Sequence, residues 1–113
     1  MGKASRDKGA RTERECVHIL QDAGLAAERV PLSGAAGGRF SGDISVPVLG
    51  VDRLGEVKCR ADGFKAIYQW LAENDFLVLK ADNKPALVVF RLAEMAKLVS
   101  EADILRLSDD TKV

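Results

Sequence analysis

The apolar positions of this 113-residue chain follow a helical spacing in three segments and a strand pattern in five others. Residues 10–23 have helical spacing and are followed by Gly24, a residue type that commonly lies just past a helix C-terminus. Helical spacing returns at residues 64–73, where Tyr68 belongs to the apolar stripe, and at residues 92–99. Apolar alternation or short apolar runs predict the strands, which are residues 26–32, 43–49, 54–59, 76–80 and 86–90.

These segments predict the order helix, three strands, helix, two strands, helix. Because strands and helices interleave, the expected class is α/β or mixed α+β, a central sheet flanked by helices. A chain of 113 residues is long enough for one domain and too short for two, so we expect a single domain over residues 1–113. Its ends are expected to be a flexible segment at residues 1–8 and a polar tail at residues 108–113.

Composition narrows the class of protein. Hydrophobic residues make up 47% and charged residues 30%, which is typical of a soluble globular protein. No apolar run reaches the length of a membrane span, and the basic N-terminus lacks the apolar segment of a secretory signal. We therefore expect a cytoplasmic protein with no membrane partner. The formal net charge of +0 counts against a purely electrostatic nucleic-acid binder, and the two cysteines are not spaced for zinc.

The polar positions with the clearest chemical pattern are Asp43 and the sequence Glu56-Val57-Lys58. A glycine-rich segment, residues 33–42, predicts a flexible loop that leads directly into Asp43 at the start of a strand. Side chains alternate faces along a strand, so Glu56 and Lys58 should share a face, and a hairpin would bring Asp43 beside Glu56. Clustered carboxylates with a neighbouring lysine suit Mg²⁺ and hydrolysis of a phosphodiester. The alternative is an ordinary exposed Glu-Lys pair, and the pattern by itself is weak evidence.

Two further features have both a functional and a structural interpretation. Glu13 lies near the start of the first helix, along the edge of its apolar stripe and towards the sheet, where it could join the site. An acid there also stabilises the helix dipole, which is a sufficient reason for it. On the second helix, Trp70 lies off the apolar stripe, where it could form a dimer contact or be partly buried. Gln69 beside it is either a support for the site or an ordinary surface residue.

Four spaced blocks give the chain a family resemblance. They are Lys8-Gly9-x-x-x-Glu13-Arg14-Glu15, Arg29-Val30-x-x-Ser33-Gly34, Gly42-Asp43-Ile44 and Glu56-Val57-Lys58. With them the chain resembles the archaeal and phage Holliday-junction resolvases of the PD-(D/E)XK nuclease superfamily, over roughly residues 6–90. The resemblance implies a restriction-endonuclease-like α-β-β-β-α-β core with a central mixed sheet. The chain departs from the PD-(D/E)XK motif at Gly42, where the motif has proline.

The resemblance also implies roles for individual residues. The implied catalytic residues are Glu13, Ser33, Asp43, Glu56 and Lys58, with Ser33 near the scissile phosphate and Lys58 orienting or activating the attacking water. The implied metal ligands are Asp43, Glu56, the Val57 carbonyl and Glu13, holding Mg²⁺, for which Mn²⁺ can substitute. The implied DNA contacts are Lys8, Arg11, Arg14, Arg29, Arg39 and Arg60.

The resemblance implies that the substrate is branched DNA, a four-way junction bound by a homodimer, in the nucleoid or in a phage-infected cell. Two alternatives remain open from the sequence. One is a repair or restriction-like nuclease that cuts flap or duplex DNA, since a fold does not determine a substrate. The other is a catalytically silent nucleic-acid-binding module. The presence of Glu13, Asp43, Glu56 and Lys58 together argues against the silent module, which has no reason to retain all four.

Overall fold

The computed structural model describes residues 3–30 and 42–111, with side chains described for residues 7–30 and 42–108. The elements occur in the order expected from the sequence, and the mixed α+β class is confirmed. Within the described residues, no helix is long and apolar enough to cross a membrane. The elements are α1 (Lys3–Asp22), β1 (Glu28–Arg29), β2 (Ile44–Val48), β3 (Val51–Gly55), α2 (Lys65–Leu71), β4 (Phe76–Leu79), β5 (Leu87–Phe90) and α3 (Leu92–Thr111).

Helix α1 ends where the sequence predicts, and hydrogen bonds explain the end. Gly24 has a φ of 97°, and its N–H donates to the Gln21 carbonyl at 2.9 Å. The Leu25 N–H donates to the Leu20 carbonyl at 3.1 Å, which completes a Schellman motif. Leu20 and Leu25 are both buried, so the apolar contact that usually accompanies this motif joins the core. The helix begins at Lys3, earlier than the expected start near residue 10.

The first sheet contains three antiparallel strands in the order β1-β2-β3. The β2–β3 hairpin turns at Leu49 and Gly50, whose φ values are 52° and 80°, and Val48 pairs with Val51. Two central residues with positive φ are typical of the type I′ turn that matches strand twist. The strand predicted at residues 54–59 was therefore wrong in its bounds. The strand starts at the tight turn and ends at Gly55, so Glu56-Val57-Lys58 follows β3.

The main core lies between α1, β2 and α3. Its buried members are small or aliphatic side chains, with partly buried residues such as Val57 packed against them. Helix α3 continues to Thr111, well beyond the predicted end at residue 99, because its inner face buries Ala96 and Ser100. One turn further along, the Asp103 carboxylate accepts the Leu49 N–H at 2.8 Å and ties α3 to the β2–β3 turn. The buried core residues are Val17, Leu20, Leu25, Ala27, Ile44 and Ala96.

Helix α2 and the β4–β5 hairpin form a second packing unit. The described strands thus pair in two antiparallel sheets, where the sequence led us to expect one mixed sheet. The Arg91 guanidinium donates to the carbonyls of Ala72 and Asn74, which holds the end of α2 against the start of α3. Leu71 is the buried residue of α2, whereas Tyr68 is 74% exposed. The prediction that Tyr68 belongs to a buried stripe was therefore wrong, because other elements cover only one side of this short helix.

Candidate active site

Asp43 lies at the entrance to β2, where backbone hydrogen bonds hold it from both sides. Its N–H donates to the Gly55 carbonyl at 2.8 Å, and its carbonyl accepts the Val30 N–H at 2.9 Å. Its carboxylate oxygen Oδ2 accepts the Val57 N–H at 2.7 Å. A backbone donor to a carboxylate makes a short, charge-assisted bond that fixes the orientation of the carboxyl group. The half-buried Asp43 side chain is therefore anchored next to the segment that carries Glu56 and Lys58.

Glu56 and Lys58 flank that anchor and point to the same side of the chain. Their side chains form an ion pair with 3.4 Å between Lys58 Nζ and Glu56 Oε2, and both are more than half exposed. Val57 packs between them against the core, so the alternation expected of a strand continues past the end of β3. An exposed ion pair of this kind contributes little to stability. Its charges remain accessible to a ligand on the solvent side.

Gly42 has a packing reason to be glycine. A Cβ at this position would lie 3.0 Å from the Gly55 carbonyl oxygen and 3.1 Å from the Leu54 Cβ. The backbone of β3 cannot move away without disturbing its pairing with β2. A proline, which the superfamily name has here, would place still more atoms in this space. The close approach of Gly42 to β3 therefore explains why this chain lacks the proline of the PD-(D/E)XK motif. The Asp43 carboxylate keeps its place.

Glu13 and Arg29 are brought together at the junction of α1 and β1. Arg29 Nε lies 3.0 Å from Glu13 Oε1, and the two side chains are 34% and 21% exposed. Within residues 7–30 and 42–108, no three acidic, histidine or cysteine side chains form a group that could hold a metal ion. The structure thus places Glu13 with Arg29 and does not join it to Asp43 and Glu56 in one such group. Asp43, Glu56 and the Val57 carbonyl supply the oxygen donors that a hard cation prefers.

The remaining residues implied by the resemblance include some that the structure describes and two that it does not. Ser33 and Arg39 fall outside the described residues. Lys8, Arg11 and Arg14 are exposed on α1 at intervals of three residues, so their cationic groups follow one side of the helix. Arg60 is exposed two residues beyond Lys58. The described cations therefore lie on α1 and on the segment after β3, and all four are exposed to solvent.

The cysteines show no feature of a nucleophilic site. Both are free and half-buried. Burial raises the pKa of the Cys16 thiol, and the nearby Glu15 carboxylate, the Cys59 sulfur and the Glu13 carboxylate raise it further. A thiol with a raised pKa is protonated at neutral pH and is a poor nucleophile. Cys16 is therefore not a candidate nucleophile.

A groove that the sequence did not predict lies beside the site. It is open to solvent and has a volume of about 450 Å³. The signal that could have revealed it is a run of cationic and aromatic residues directly after Lys58. Its lining residues are Arg60, Ala61, Asp62, Phe64, Lys65, Tyr68 and Gln69.

Comparison with known proteins identifies a family for this chain. Residues 4–69 match the family model of the archaeal Holliday junction resolvase (hjc). The matched span contains Glu13, Asp43, Glu56 and Lys58 and ends within α2. No curated protein and no solved structure matches the chain. Because the family model covers more than half of the chain, the protein belongs to the archaeal Holliday junction resolvase family of nucleases.

Proposed function

We propose that this protein resolves four-way DNA junctions by Mg²⁺-dependent hydrolysis of phosphodiester bonds. The observation that carries the proposal is the bond from the Val57 N–H to Asp43 Oδ2, 2.7 Å long. This bond places the anchored carboxylate beside the exposed Glu56–Lys58 pair, inside the span that matches the resolvase family. Two carboxylates and an ammonium group then share one small surface.

The donor set fits a magnesium ion. Asp43, Glu56 and the Val57 carbonyl would hold it, since Mg²⁺ in nucleases is bound by one or two carboxylates and retains several waters. When bound, the ion lowers the pKa of a coordinated water and neutralises charge on the phosphate. Glu13 is proposed to act from the edge of this site, where its pair with Arg29 links α1 to β1.

Lys58 has the role that depends most directly on its charge. Its ammonium group is more than half exposed beside Glu56, so it can reach the non-bridging oxygens of a phosphate or the attacking water. Negative charge grows on these oxygens in the transition state, and a preplaced cation stabilises it more than it stabilises the ground state. Lys58 therefore orients the water and stabilises the developing charge.

Phosphate contacts are proposed for the cations around the site. Arg29 uses Nε to bind Glu13, and its other guanidinium N–H groups remain chemically suited to phosphate oxygens. With a formal net charge of +0, binding depends on local placement of cations and should weaken as salt rises. The proposed contacts among the described residues are Lys8, Arg11, Arg14, Arg29 and Arg60. Arg39 is proposed as a further contact and Ser33 as a residue near the scissile phosphate, as the resemblance implies.

A homodimer is proposed from the β4–β5 hairpin. Phe76 pairs with Phe90 and Val78 with Val88, so these four side chains share one face. Phe76, Val78 and Val88 are each more than half exposed. The opposite face is also apolar, and strands that are apolar on both faces are typical of sheets covered on both sides.

An exposed apolar face of this kind is suited to an interface with another protein chain. A second copy of the chain is the proposed occupant, because a two-fold dimer presents two active sites to a two-fold junction.

Val78→Asp should dissociate this dimer. A carboxylate at the centre of an apolar interface is desolvated without a partner, so the dimer Kd should rise by about 100-fold or more. The matched control is Val51→Asp, because Val51 is a valine of similar exposure on β3, at 50% against 54% for Val78. Analytical ultracentrifugation across a concentration series measures the Kd. A wild-type monomer, or equal Kd values for the two variants, would contradict the proposed interface.

The proposed activity is tested with a labelled four-way junction, a flap and a linear duplex of the same sequence. With Mg²⁺ we expect paired, symmetric nicks near the branch point of the junction and far slower cutting of the other two. EDTA should stop cleavage, and added Mn²⁺ should restore it. Equal cutting of all three substrates would indicate a general nuclease. Tight junction binding without cutting in either metal would indicate a silent binding module.

A further inference from the structure

The groove beside the active site has an unusual lining for a solvent-exposed surface. Arg60 and Lys65 bring two positive charges, Asp62 brings one negative charge, and Tyr68 contributes an aromatic ring that is 74% exposed. The lining begins at Arg60, two residues after Lys58, so the groove follows the proposed active site directly along the chain. Its volume of about 450 Å³ lies in the range of ligand sites in proteins.

Tyr68 is held in place although its side chain is exposed. Its N–H donates to the Phe64 carbonyl at 3.2 Å, and its carbonyl accepts the Ala72 N–H at 2.9 Å. Arg91 fixes the following turn through the carbonyls of Ala72 and Asn74. The ring therefore projects from a backbone that is bonded on both sides, so the backbone itself need not become ordered when a ligand packs on the ring.

From this lining we infer that the groove binds one unpaired nucleotide of the DNA strand next to the cleavage site. The base stacks on the Tyr68 ring, and Arg60 and Lys65 contact the adjoining phosphates. An exposed aromatic ring beside cations is the combination by which proteins bind single strands, because every base has a stacking face and every nucleotide a phosphate. Asp62 and Gln69 can accept hydrogen bonds from base amino groups. The inference rests on the proposed function, since it assumes a DNA strand in the active site.

The inferred site is separate from the proposed dimer surface. Tyr68 and Trp70 are two residues apart on α2, which places them about 200° apart around the helix axis. Trp70 does not line the groove, and it is 59% exposed on the other side. The groove and the proposed interface on the β4–β5 hairpin also have no lining residue in common.

The test measures binding of the full-length Asp43→Asn protein, which avoids cleavage during the assay. One probe is a single-stranded oligonucleotide with one 2-aminopurine, and the other is a four-way junction with 2-aminopurine beside the branch point. Stacking on Tyr68 should quench the fluorescence of both. Tyr68→Phe keeps an aromatic ring and should behave like Tyr68. Tyr68→Ala should lose the quenching and weaken binding of the single strand by about 5- to 100-fold.

Lys65→Gln provides a second variant that does not depend on the ring. It should weaken binding and reduce its salt dependence, whereas Lys97→Gln, an exposed lysine on α3, should do neither. Unchanged quenching and affinity in Tyr68→Ala would overturn the inference. A change of oligomeric state in Tyr68→Ala with unchanged DNA affinity would also overturn it and would make Tyr68 a protein contact. If the wild-type protein failed to cut junctions while the expected binding pattern held, the proposed function would fail and the inferred binding site would stand.

Discussion

Replacing Asp43 with asparagine should abolish junction cleavage and leave junction binding nearly unchanged. Asparagine has the shape of aspartate, and its side-chain oxygen can accept the same Val57 N–H bond, so the backbone around it should remain in place. It lacks the negative charge that a hard cation requires. Losing a residue that only hydrogen-bonds to a metal ligand already reduces metal affinity or activity by about 10- to 100-fold. Losing the ligand itself should therefore reduce the cleavage rate by more than about 100-fold.

The measurement is single-turnover cleavage of a four-way junction, with the Kd for the same junction determined in Ca²⁺. Asp52→Asn is the matched control, because Asp52 is an exposed aspartate on β3, paired with Pro47, and should cut at the wild-type rate. An Asp43→Asn protein with full activity would remove Asp43 from the metal site. Loss of binding together with cleavage would indicate a structural role for Asp43 instead.

Lys58→Ala should slow cleavage by about 100-fold or more, the cost of losing one electrostatic stabiliser of the transition state. The free energy of unfolding of this variant should hardly change, because both side chains of the Lys58–Glu56 pair are more than half exposed. Ion pairs of this kind contribute little to stability. A thermal unfolding midpoint close to that of wild type, together with the rate loss, therefore separates a catalytic role from a structural one.

Lys84→Ala is the control for Lys58→Ala, since it removes an equally exposed lysine from the β4–β5 turn. It should retain wild-type cleavage at matched ionic strength. The single-turnover rate at saturating junction, measured across pH for the wild-type and Lys58→Ala proteins, gives a further check. General electrostatic weakening of binding would raise the junction Kd and leave this saturated rate unchanged. Wild-type turnover by Lys58→Ala would exclude Lys58 from the mechanism.

Much of the local structure follows from short-range sequence signals. Gly24 ends α1 because only a residue that tolerates positive φ closes the Schellman motif there. The alternation around Ile44 correctly predicts β2, since one face of the strand must enter the core. The boundaries of α3 were predicted less well. Its second half depends on contacts with a distant part of the chain, including the bond from Leu49 to Asp103.

The sequence predicted that Asp43 lies near Glu56 and Lys58, but not the geometry that brings them together. Asp43 beside Glu56 and Lys58 was expected from strand alternation, and the structure has the Asp43 carboxylate bonded at Val57. The tight turn at Leu49 and Gly50 ends β3 earlier than expected and leaves Glu56 and Lys58 outside the ladder. Local propensity could not locate that turn, because Leu49 has a positive φ that a non-glycine residue rarely adopts.

The sequence by itself determined the order of elements, the end of α1 and the set of charged residues that carry the proposed chemistry. These depend on side-chain identity and on spacings of a few residues, which a linear pattern contains. Only the tertiary structure decided that Glu13 pairs with Arg29, that Gly42 lies against β3 and that Tyr68 is exposed beside the site. Each of these depends on packing between segments far apart in the chain or on which helix face is covered. No local periodicity contains that information.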